Sequence, residues 1–198
     1  MSPKIMSVGS PTDQGQEVRI KALESKIKRL QSENNQLKLQ FKLFECGTTN
    51  GHFVWKIDSL KRRFTEAKSG VTKALHSAPC FTDKYGYKYC LRLHPDGDGL
   101  GARDYLSLYF ILMKSEYDNI QTWPFQKKIQ LSLINQQDRC NDLVECITPD
   151  ADSPCFKKPI NDMNLPHGLP KFIEIDRLVD EGFVKDDCLF IEIKIEDE

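Results

Sequence analysis

The sequence predicts a mainly β protein, an antiparallel β-sandwich that follows one long coiled-coil helix. A chain of 198 residues has room for one ordinary domain plus an appendage. Apolar residues repeat with a helical period before residue 47, and short β-rich runs between turn residues replace that period from residue 51. We therefore expect a disordered lead over 1–15, a coiled-coil stalk over 16–48 and a sandwich over 49–198.

The stalk segment 16–46 contains no glycine or proline and carries a regular heptad pattern. With Ile20 at position a, seven of the eight a and d positions are apolar, and the eighth is Asn34, a residue type that often fixes coiled-coil register. Opposite charges at the g and e positions favour a parallel pairing. Ile at a and Leu at d favour a dimer, whereas two phenylalanines fit a narrow dimer interface poorly, so two and three strands both stay open. The predicted interface positions are Ile20, Leu23, Ile27, Leu30, Asn34, Leu37, Phe41 and Phe44.

The residues from 51 onward predict six strands and one short helix. The helix covers 58–69, because Asp58 or Ser59 can cap its start and Gly70 follows its end. The run 95–103 holds three glycines and a proline, which is a strong turn signal in a hairpin. With no alternation of strands and helices, these elements favour an antiparallel sandwich. The predicted strands are 52–57, 85–94, 104–114, 127–135, 142–148 and 187–195.

Charge and hydropathy argue against two classes of partner. The 28 basic residues nearly balance the 29 acidic ones, so the net charge of −1 gives no overall basis for binding nucleic acid. No stretch approaches the roughly 18 to 20 apolar residues that span a bilayer. The N-terminus also lacks the apolar core of a secretory signal. We therefore expect a cytoplasmic protein that neither binds nucleic acid nor inserts into a membrane.

The seven cysteines and four histidines show no spacing typical of a metal or cofactor site. An odd number of widely spread cysteines is a poor disulfide framework, so we expect buried, reduced thiols, no metal and no cofactor. Motifs of phosphate-binding loops, serine hydrolases and zinc proteases are absent from the sequence. A catalytic Cys–His pair stays open, because such residues meet in space rather than in sequence.

Several runs occur in one order along the second part of the chain. They are GHFVWKI at 51–57, SAPCFTDKYGYKYCLRL at 77–93, GDGLGARDYLSLYFILMK at 97–114, WPFQKKIQLSLINQ at 123–136, KPINDMN at 158–164 and FVKDDCLFIEIKI at 183–195. Together they resemble the C-terminal region of the TNF receptor-associated factors, the TRAF family, over about residues 51–197. The resemblance implies an eight-stranded antiparallel sandwich of the meprin-and-TRAF-homology (MATH) type. It also implies a parallel homotrimer, with the preceding helices as its stalk.

The resemblance implies a function as well. TRAF proteins bind short linear motifs in the cytoplasmic tails of TNF-receptor-type proteins, by adding a strand at the sandwich edge. They couple receptor clustering to signalling of the NF-κB and JNK type, to apoptosis and to innate immunity. We expect a similar adaptor here, with receptor tails, adaptor proteins and further copies of itself as partners. The sequence shows no RING or zinc-finger spacing, so we expect no enzymatic activity and no catalytic residues in this chain.

The family's peptide groove can be placed residue by residue. Its charged positions for an acidic peptide residue fall at Arg92, His94 and Asp98, where His94 replaces a tyrosine. Arg92 can make a charge-assisted bond to a carboxylate, and the charge of a histidine varies near neutral pH. The two aromatic positions of the family's apolar pocket fall at Tyr109 and Ile147.

Two further stretches of the groove depart from the family pattern. The family's serine cluster, which grips a peptide glutamine, falls at Ser153-Pro154-Cys155, where only Ser153 keeps a hydroxyl and Cys155 is a weaker donor. An acidic or smaller peptide residue is therefore an alternative to glutamine. The small-residue stretch that lines the groove falls at Pro166-His167-Gly168, where Gly168 is kept and His167 is larger.

One alternative comes from another functional class. A MATH sandwich also serves as the substrate-recognition module of ubiquitin ligases and deubiquitinases. Modules of that kind lack an Ile/Leu heptad helix directly before the sandwich, so the segment 16–46 favours the adaptor. A thiol-protease hypothesis would need a cysteine with a depressed pKa.

Overall fold

The fold was obtained as a computed structural model that describes the backbone of residues 11–46 and 48–196, and the side chains of residues 15–34 and 48–196. The first element is the helix α1 (Pro11–Cys46). It begins before the predicted residue 16, because a proline is well tolerated in the first turn of a helix. Residues 1–10 of the predicted lead lie outside the described residues. The second unit of the chain covers residues 45–198.

The second unit contains nine described strands and two short α-helices. The six strands predicted from the sequence are all present, with small shifts at their ends. The elements are β1 (His52–Ile57), α2 (Leu60–Lys68), β2 (Leu75–His76), β3 (Cys80–Phe81), β4 (Lys88–His94), β5 (Tyr105–Met113), β6 (Lys128–Leu133), β7 (Leu143–Ile147), β8 (His167–Glu174), α3 (Arg177–Asp180) and β9 (Leu189–Glu196).

The strands form two antiparallel sheets. One has the order β1-β9-β6-β7, and the other has the order β2-β4-β5-β8, with β3 also on β4. The structure therefore confirms the predicted mainly β, antiparallel sandwich with a preceding helix. It shows nine strands instead of eight because β2 and β3 both pair with β4 and are separated only by residues 77–79. They act as one interrupted strand.

The core lies between the two sheets, where alternate side chains of each strand meet. Leu91 and Leu93 of β4 and Leu106 and Leu108 of β5 are fully buried there, and Phe125 is among the aromatic rings that fill the centre. The residues between these apolar positions must point away from the core. That alternation determines which side chains of β4 and β5 face outward.

The start of α2 is capped from a distant part of the chain. Ser59 occupies the N-cap position, but it has a left-handed backbone (φ 52°) and its side chain makes no capping bond. The backbone N–H of Lys61 instead donates to Oδ1 of Asp187 at 2.9 Å, and the N–H of Leu60 donates to the carbonyl of Asp187 at 3.0 Å. The sequence predicted a cap from Asp58 or Ser59. The structure instead shows the cap on Asp187, a residue just before β9.

Candidate functional site

Arg92, Tyr109 and Gly168 lie side by side on the outward face of the β2-β4-β5-β8 sheet. Arg92 of β4 is the register partner of Tyr109 of β5, and Tyr109 is the partner of Gly168 of β8. Their neighbours along β4 and β5 are buried in the core, so Arg92 and Tyr109 point to the other face. The structure therefore brings together three residues that are far apart in the sequence. We call this set the Arg92 row.

His76 extends the Arg92 row by one strand. It is the register partner of Arg92 across β2 and β4, so the complete row is His76, Arg92, Tyr109 and Gly168. Sequence analysis missed His76, because β2 has only two residues and gives no periodic pattern. The strand register is the signal that identifies it.

His94 lies beside the row, two residues after Arg92 on β4, and Asp98 lies in the turn that follows β4. His94 Nε2 is 3.9 Å from Asp98 Oδ2, and the imidazole stands edge-on to the ring of Tyr109. The backbone N–H of Asp98 donates to Oγ of Ser107 at 2.9 Å, and Ser107 Oγ donates to the carbonyl of Pro170 at 2.5 Å. Ser107 is fully buried. A single hydroxyl thus fixes the Asp98 turn to β5 and β8, and sequence analysis gave no signal for it.

Glycines allow the turn between β4 and β5 to fold tightly against β8. Gly97 has a left-handed backbone (φ +73°), which few other residues adopt without strain. A Cβ atom on Gly101 would lie only 1.8 Å from the carbonyl oxygen of Pro170. The glycine run therefore serves the close approach of two backbones, in agreement with its prediction as a hairpin turn.

Gly168 keeps the β8 end of the row open. A Cβ atom at this position would lie 2.3 Å from the carbonyl oxygen of Leu108 and 2.7 Å from the Cα of Tyr109. Contacts this short with backbone atoms force one strand to shift. Gly168 therefore lets β8 lie close to β5 and leaves the ring of Tyr109 uncovered on that side.

The row and the adjacent His94 carry polar nitrogen atoms that have no partner among the described residues. Arg92 Nε and His94 Nε2 are buried and make no hydrogen bond with the described residues. Burial lowers the pKa of His94, and the positive charge of Arg92 adds to this effect against the opposing charge of Asp98. Burial also lowers the pKa of His76, followed by the charges of Arg92 and His94. Burial and then the charge of Asp98 raise the pKa of Tyr109.

The segment from Ser153 to Cys155 lies against the chain that leads into β8. Ser153 Oγ accepts a bond from the Cys155 N–H at 3.4 Å, at the start of a short 3-10 turn. The side-chain nitrogen of Asn164 donates to the carbonyls of Cys155 at 3.0 Å and Lys157 at 2.7 Å. Cys155 Sγ lies 4.0 Å from the carbonyl oxygen of Pro166. The structure thus brings Ser153, Cys155 and Pro166 to the entry of β8.

The side chain of His167 does not share the outward face of the sheet with Tyr109. Its register partner in β5 is Phe110, whose ring is in the core, and neighbouring residues of a strand face opposite sides. The imidazole packs on Phe156, with the two ring centroids 4.9 Å apart. Side chains alternate between the two faces of β8. Gly168 therefore lies in the row on the outward face, and the ring of His167 lies on the opposite face of the sheet.

Ile147 is also separated from the row. It is the last residue of β7 in the other sheet, and its register partner is Ile129 of β6. Its side chain belongs to the core and is only 5% exposed. Ile147 therefore offers a ligand little surface, and the half-buried Tyr109 is the more accessible member of the predicted apolar pair.

The strand β8 forms one edge of its sheet. It pairs with β5, and no other described strand lies on its far side. An edge strand presents a row of main-chain N–H and C=O groups to any further strand. Pro170 lacks an N–H, so the stretch around Gly168 and Leu169 is the better part of this edge for pairing. The Arg92 row runs directly to that stretch.

The predicted stalk positions expose apolar surface. The side chains of Ile20, Leu23, Ile27 and Leu30 are 49% to 55% exposed in the single chain, and Asn34 is exposed as well. Leu37, Phe41 and Phe44 lie outside the residues whose side chains are described. The apolar heptad face of the described part of α1 therefore has no cover within one chain.

The cysteines only partly follow the sequence prediction. Cys90 and Cys188 are buried free thiols, as predicted, whereas Cys140 and Cys146 are exposed. Burial raises the pKa of Cys90 to about 11, which opposes the thiolate that a thiol protease needs. The described residues contain no group of side chains that could hold a metal ion and no helix long and apolar enough to cross a membrane.

An open cleft of about 640 Å³ lies elsewhere on the sandwich, between the end of β6 and the start of β9. Two of its polar side chains already have partners. Gln136 Nε2 donates to the carbonyls of Phe183 and Cys188, and Arg139 pairs with Asp142 and Glu192. The cleft contains none of the predicted site residues. The Arg92 row is therefore the better candidate for a functional site.

Known proteins resemble this chain over most of its length. Residues 72–192, more than half of the chain and including all four strands of the row, match the family of the TRAF/meprin MATH domain. This chain belongs to the TRAF/MATH family. It is 35% identical to human TNF receptor-associated factor 2 over 181 residues, which cover 87% of this chain and 36% of that protein. It is 38% identical to human TNF receptor-associated factor 1 over 156 residues, which cover 78% of this chain and 37% of that protein.

Solved structures show the same TRAF/MATH fold. TRAF5 from Notothenia coriiceps superimposes with a TM-score of 0.80 at 27% identity, over 94% of this chain and 96% of that one. The likeness therefore extends over nearly the whole of both chains. The chain spans about a third of the length of the curated relatives it matches.

Proposed function

We propose that this chain is the trimerising and ligand-binding part of a cytoplasmic signalling adaptor. In this proposal, it binds short linear motifs of receptor tails by strand addition at β8. One observation carries the proposal. The Arg92 row extends across the sheet and ends on β8, which is an edge strand with no further described strand beside it. The names of the relatives, TNF receptor-associated factors, support receptors as the source of the ligand.

Each part of the site has a distinct role in this mechanism. An extended peptide gains main-chain hydrogen bonds along β8 near Gly168 and Leu169, which give affinity without sequence preference. The guanidinium of Arg92 binds an acidic side chain of the peptide, and the buried Nε gains the partner that it lacks when the side chain turns toward the ligand. Tyr109 packs against an apolar peptide residue. Ser153 and Cys155, at the entry of β8, contact the neighbouring peptide residue with one strong and one weak donor.

The stalk converts weak single contacts into a response to clustering. A coiled coil of three parallel chains buries the half-exposed side chains of Ile20, Leu23, Ile27 and Leu30 against each other. Three linked grooves bind clustered tails with avidity about 10²- to 10⁴-fold above a single site, provided that their spacing matches. Receptor clustering then becomes the input for signalling of the NF-κB and JNK type. The chain contributes binding to this process and no chemistry of its own.

The proposal is tested by peptide binding to the wild-type chain and to Arg92→Ala. Short synthetic segments tiled across TNF-receptor-type tails are screened, and the tightest binder that contains a Glu is measured by calorimetry together with its Glu→Gln counterpart. Loss of a hydrogen bond to a charged group weakens binding by about tenfold or more. Arg62→Ala, an exposed arginine of α2, is the matched control and leaves the affinity unchanged. Equal affinity of the wild-type chain and Arg92→Ala would show that the ligand lies elsewhere.

A further inference from the structure

Two imidazoles flank the guanidinium of Arg92 on the outward face of the sheet. His76 is its register partner across β2 and β4, and His94 lies two residues further along β4, on the same face. His76 is not among the residues carried over from the TRAF pattern. The three side chains form a single nitrogen-rich patch at the end of the row, which we call the His76–Arg92–His94 patch.

Two nitrogen atoms of this patch lack partners in the part of the chain that the structure describes. Arg92 Nε and His94 Nε2 are buried without a hydrogen bond from the described residues, and His94 Nε2 is 3.9 Å from Asp98 Oδ2, beyond hydrogen-bonding distance. A buried polar atom without a partner costs about 1–3 kcal/mol, which a bound oxygen atom can recover. Both atoms are buried in the free chain, so a ligand oxygen bonds to them when the two side chains turn toward it.

The charges around the patch are few. On β4 the same face carries Lys88 and Cys90, and burial raises the pKa of that thiol to about 11, so it is neutral. The turn contributes the carboxylate of Asp98, and β5 contributes Tyr109, which stays neutral because burial and Asp98 raise its pKa. Gly168 of β8 contributes no charge.

Burial is the largest influence on both histidines and lowers the pKa of each, and the charge of Arg92 acts in the same direction. Without a ligand, both imidazoles are therefore neutral at neutral pH. A carboxylate placed beside Arg92 replaces lost solvation and adds an opposite charge, which favours the imidazolium form.

We propose that His76 is a further ligand-contacting residue of the groove, and that His76 and His94 take up protons from solvent when an acidic peptide side chain binds beside Arg92. Each protonated imidazole donates an N–H bond to the peptide carboxylate. The inference rests on the proposed function and specifies its ligand as a carboxylate-bearing extended segment. This uptake of protons makes the chain bind the peptide more tightly as the pH falls.

The direction follows from linkage. Because the complex binds more protons than the free chain, its affinity increases as the pH falls through the range in which the histidines titrate. A peptide Glu stays ionised down to about pH 4.3, so it does not oppose this trend above that point. We expect the Glu-containing peptide to bind roughly three- to tenfold more tightly at about pH 5.5 than at about pH 7.5.

The test is calorimetry of the Glu-containing peptide at these two pH values, repeated midway between them in two buffers of different ionisation enthalpy. The buffer dependence reports the protons taken up on binding. In His76→Gln and in His94→Gln, the side chain keeps a donor but no longer titrates, so the affinity ratio between the two pH values falls toward one. His52→Gln, in β1 of the other sheet, is the matched control and keeps the wild-type ratio. Thermal unfolding confirms that each variant is folded.

The outcomes separate this inference from the proposed function. If the peptide binds with equal affinity at both pH values and without proton uptake, the inference is overturned while strand addition at β8 stands. If His76→Gln keeps the full pH dependence, His76 is not a ligand contact. If no acidic peptide binds at either pH, the proposed function itself fails. Loss of the pH dependence with the Glu→Gln peptide supports the pairing of the carboxylate with the patch.

Discussion

The imidazole of His94 stands edge-on to the ring of Tyr109, with the two ring centroids 5.7 Å apart and the ring planes at 78°. His94 belongs to β4 and Tyr109 to β5, so the contact crosses from one strand to the next. Tyr109 in turn lies between Arg92 and Gly168 in the strand register. The ring of Tyr109 therefore connects the charged end of the candidate groove with the edge strand, and changes on either side of it should affect the groove.

We predict that Gly168→Ala destabilises the sandwich by about 1–3 kcal/mol, because an added Cβ meets backbone atoms of Leu108 and Tyr109. Peptide binding should weaken as well, since β8 must move away from β5. Urea unfolding, followed by tryptophan fluorescence, measures the first effect. Gly15→Ala in α1 is the control, because nothing lies within 4 Å of that position. Wild-type stability of Gly168→Ala would contradict the close packing of β5 and β8.

We predict that Ser107→Ala lowers the free energy of unfolding by about 1–3 kcal/mol, because it leaves the Asp98 N–H and the Pro170 carbonyl without their shared partner. The Asp98 turn should also exchange its amide protons faster, which hydrogen-exchange mass spectrometry detects. Ser69→Ala, at an exposed position in which Oγ donates to the carbonyl of Glu66, is the control. Unchanged exchange in the turn would show that Ser107 does not hold it.

We predict that Asp187→Ala destabilises the chain by about 0.5–2 kcal/mol, because α2 loses the side chain that caps its start. Asp187→Asn keeps an oxygen acceptor and tolerates the left-handed backbone of this residue (φ 58°), so it should retain most of the stability. Thermal unfolding of the three proteins gives the comparison. Equal losses in both variants would mean that the charge, and not the cap, stabilises this end of α2.

Glu192 should contribute to stability against acid. Burial opposes ionisation of Glu192, but the hydrogen bond to His52 and the nearby charge of Lys194 outweigh it and lower the pKa of the carboxyl group. A carboxyl group with a lowered pKa stabilises the fold above its unfolded pKa of about 4.3, and this contribution is lost as the pH falls through the folded value.

We therefore predict that the unfolding midpoint of Glu192→Gln falls less steeply between about pH 5 and pH 3 than that of the wild-type chain. Glu181→Gln removes an exposed ion pair with Arg177 and serves as the comparison. Parallel pH curves for the wild-type chain and Glu192→Gln would refute a stabilising role of this carboxylate.

We predict that the wild-type chain has a mass of three times 22.8 kDa in light scattering, and that the double variant Ile27→Asp and Leu30→Asp is monomeric. Charges in an apolar coiled-coil interface cannot be solvated, so the helices separate. Ser25→Asp and Ser32→Asp add the same charge at outward f positions and should stay trimeric. The far-UV spectrum of the sandwich should persist in both. A dimeric wild-type chain would overturn the proposed trimer.

The sequence was a good guide to elements with a clear period. Strands such as His52–Ile57 alternate over several residues, and the structure finds them where they were predicted. The strand His167–Glu174 was missed because Gly168 and Pro170 interrupt its pattern, and its ladder with β5 contains an irregularity. The two-residue strand that contains His76 is too short to show any period.

The candidate site was only partly predictable, for a related reason. Arg92, Asp98 and Tyr109 were found through the family resemblance, and their grouping depends on strand register, which a sequence does not display. The same register places the ring of His167 on the core face of the sheet and places His76 in the row. Asp187 caps α2 from 126 residues away, a relationship that no local pattern contains.

The pairing of β1 with β9 has a practical consequence. His52 lies opposite Lys194, so the sandwich starts and finishes on neighbouring strands. A short linker from Glu196 back to His52 would join these ends, and new termini opened in the exposed turn near Gly70 would give a circular permutant. Such a permutant would carry one complete sandwich without α1. It would allow the intrinsic affinity of a single groove to be measured apart from any assembly.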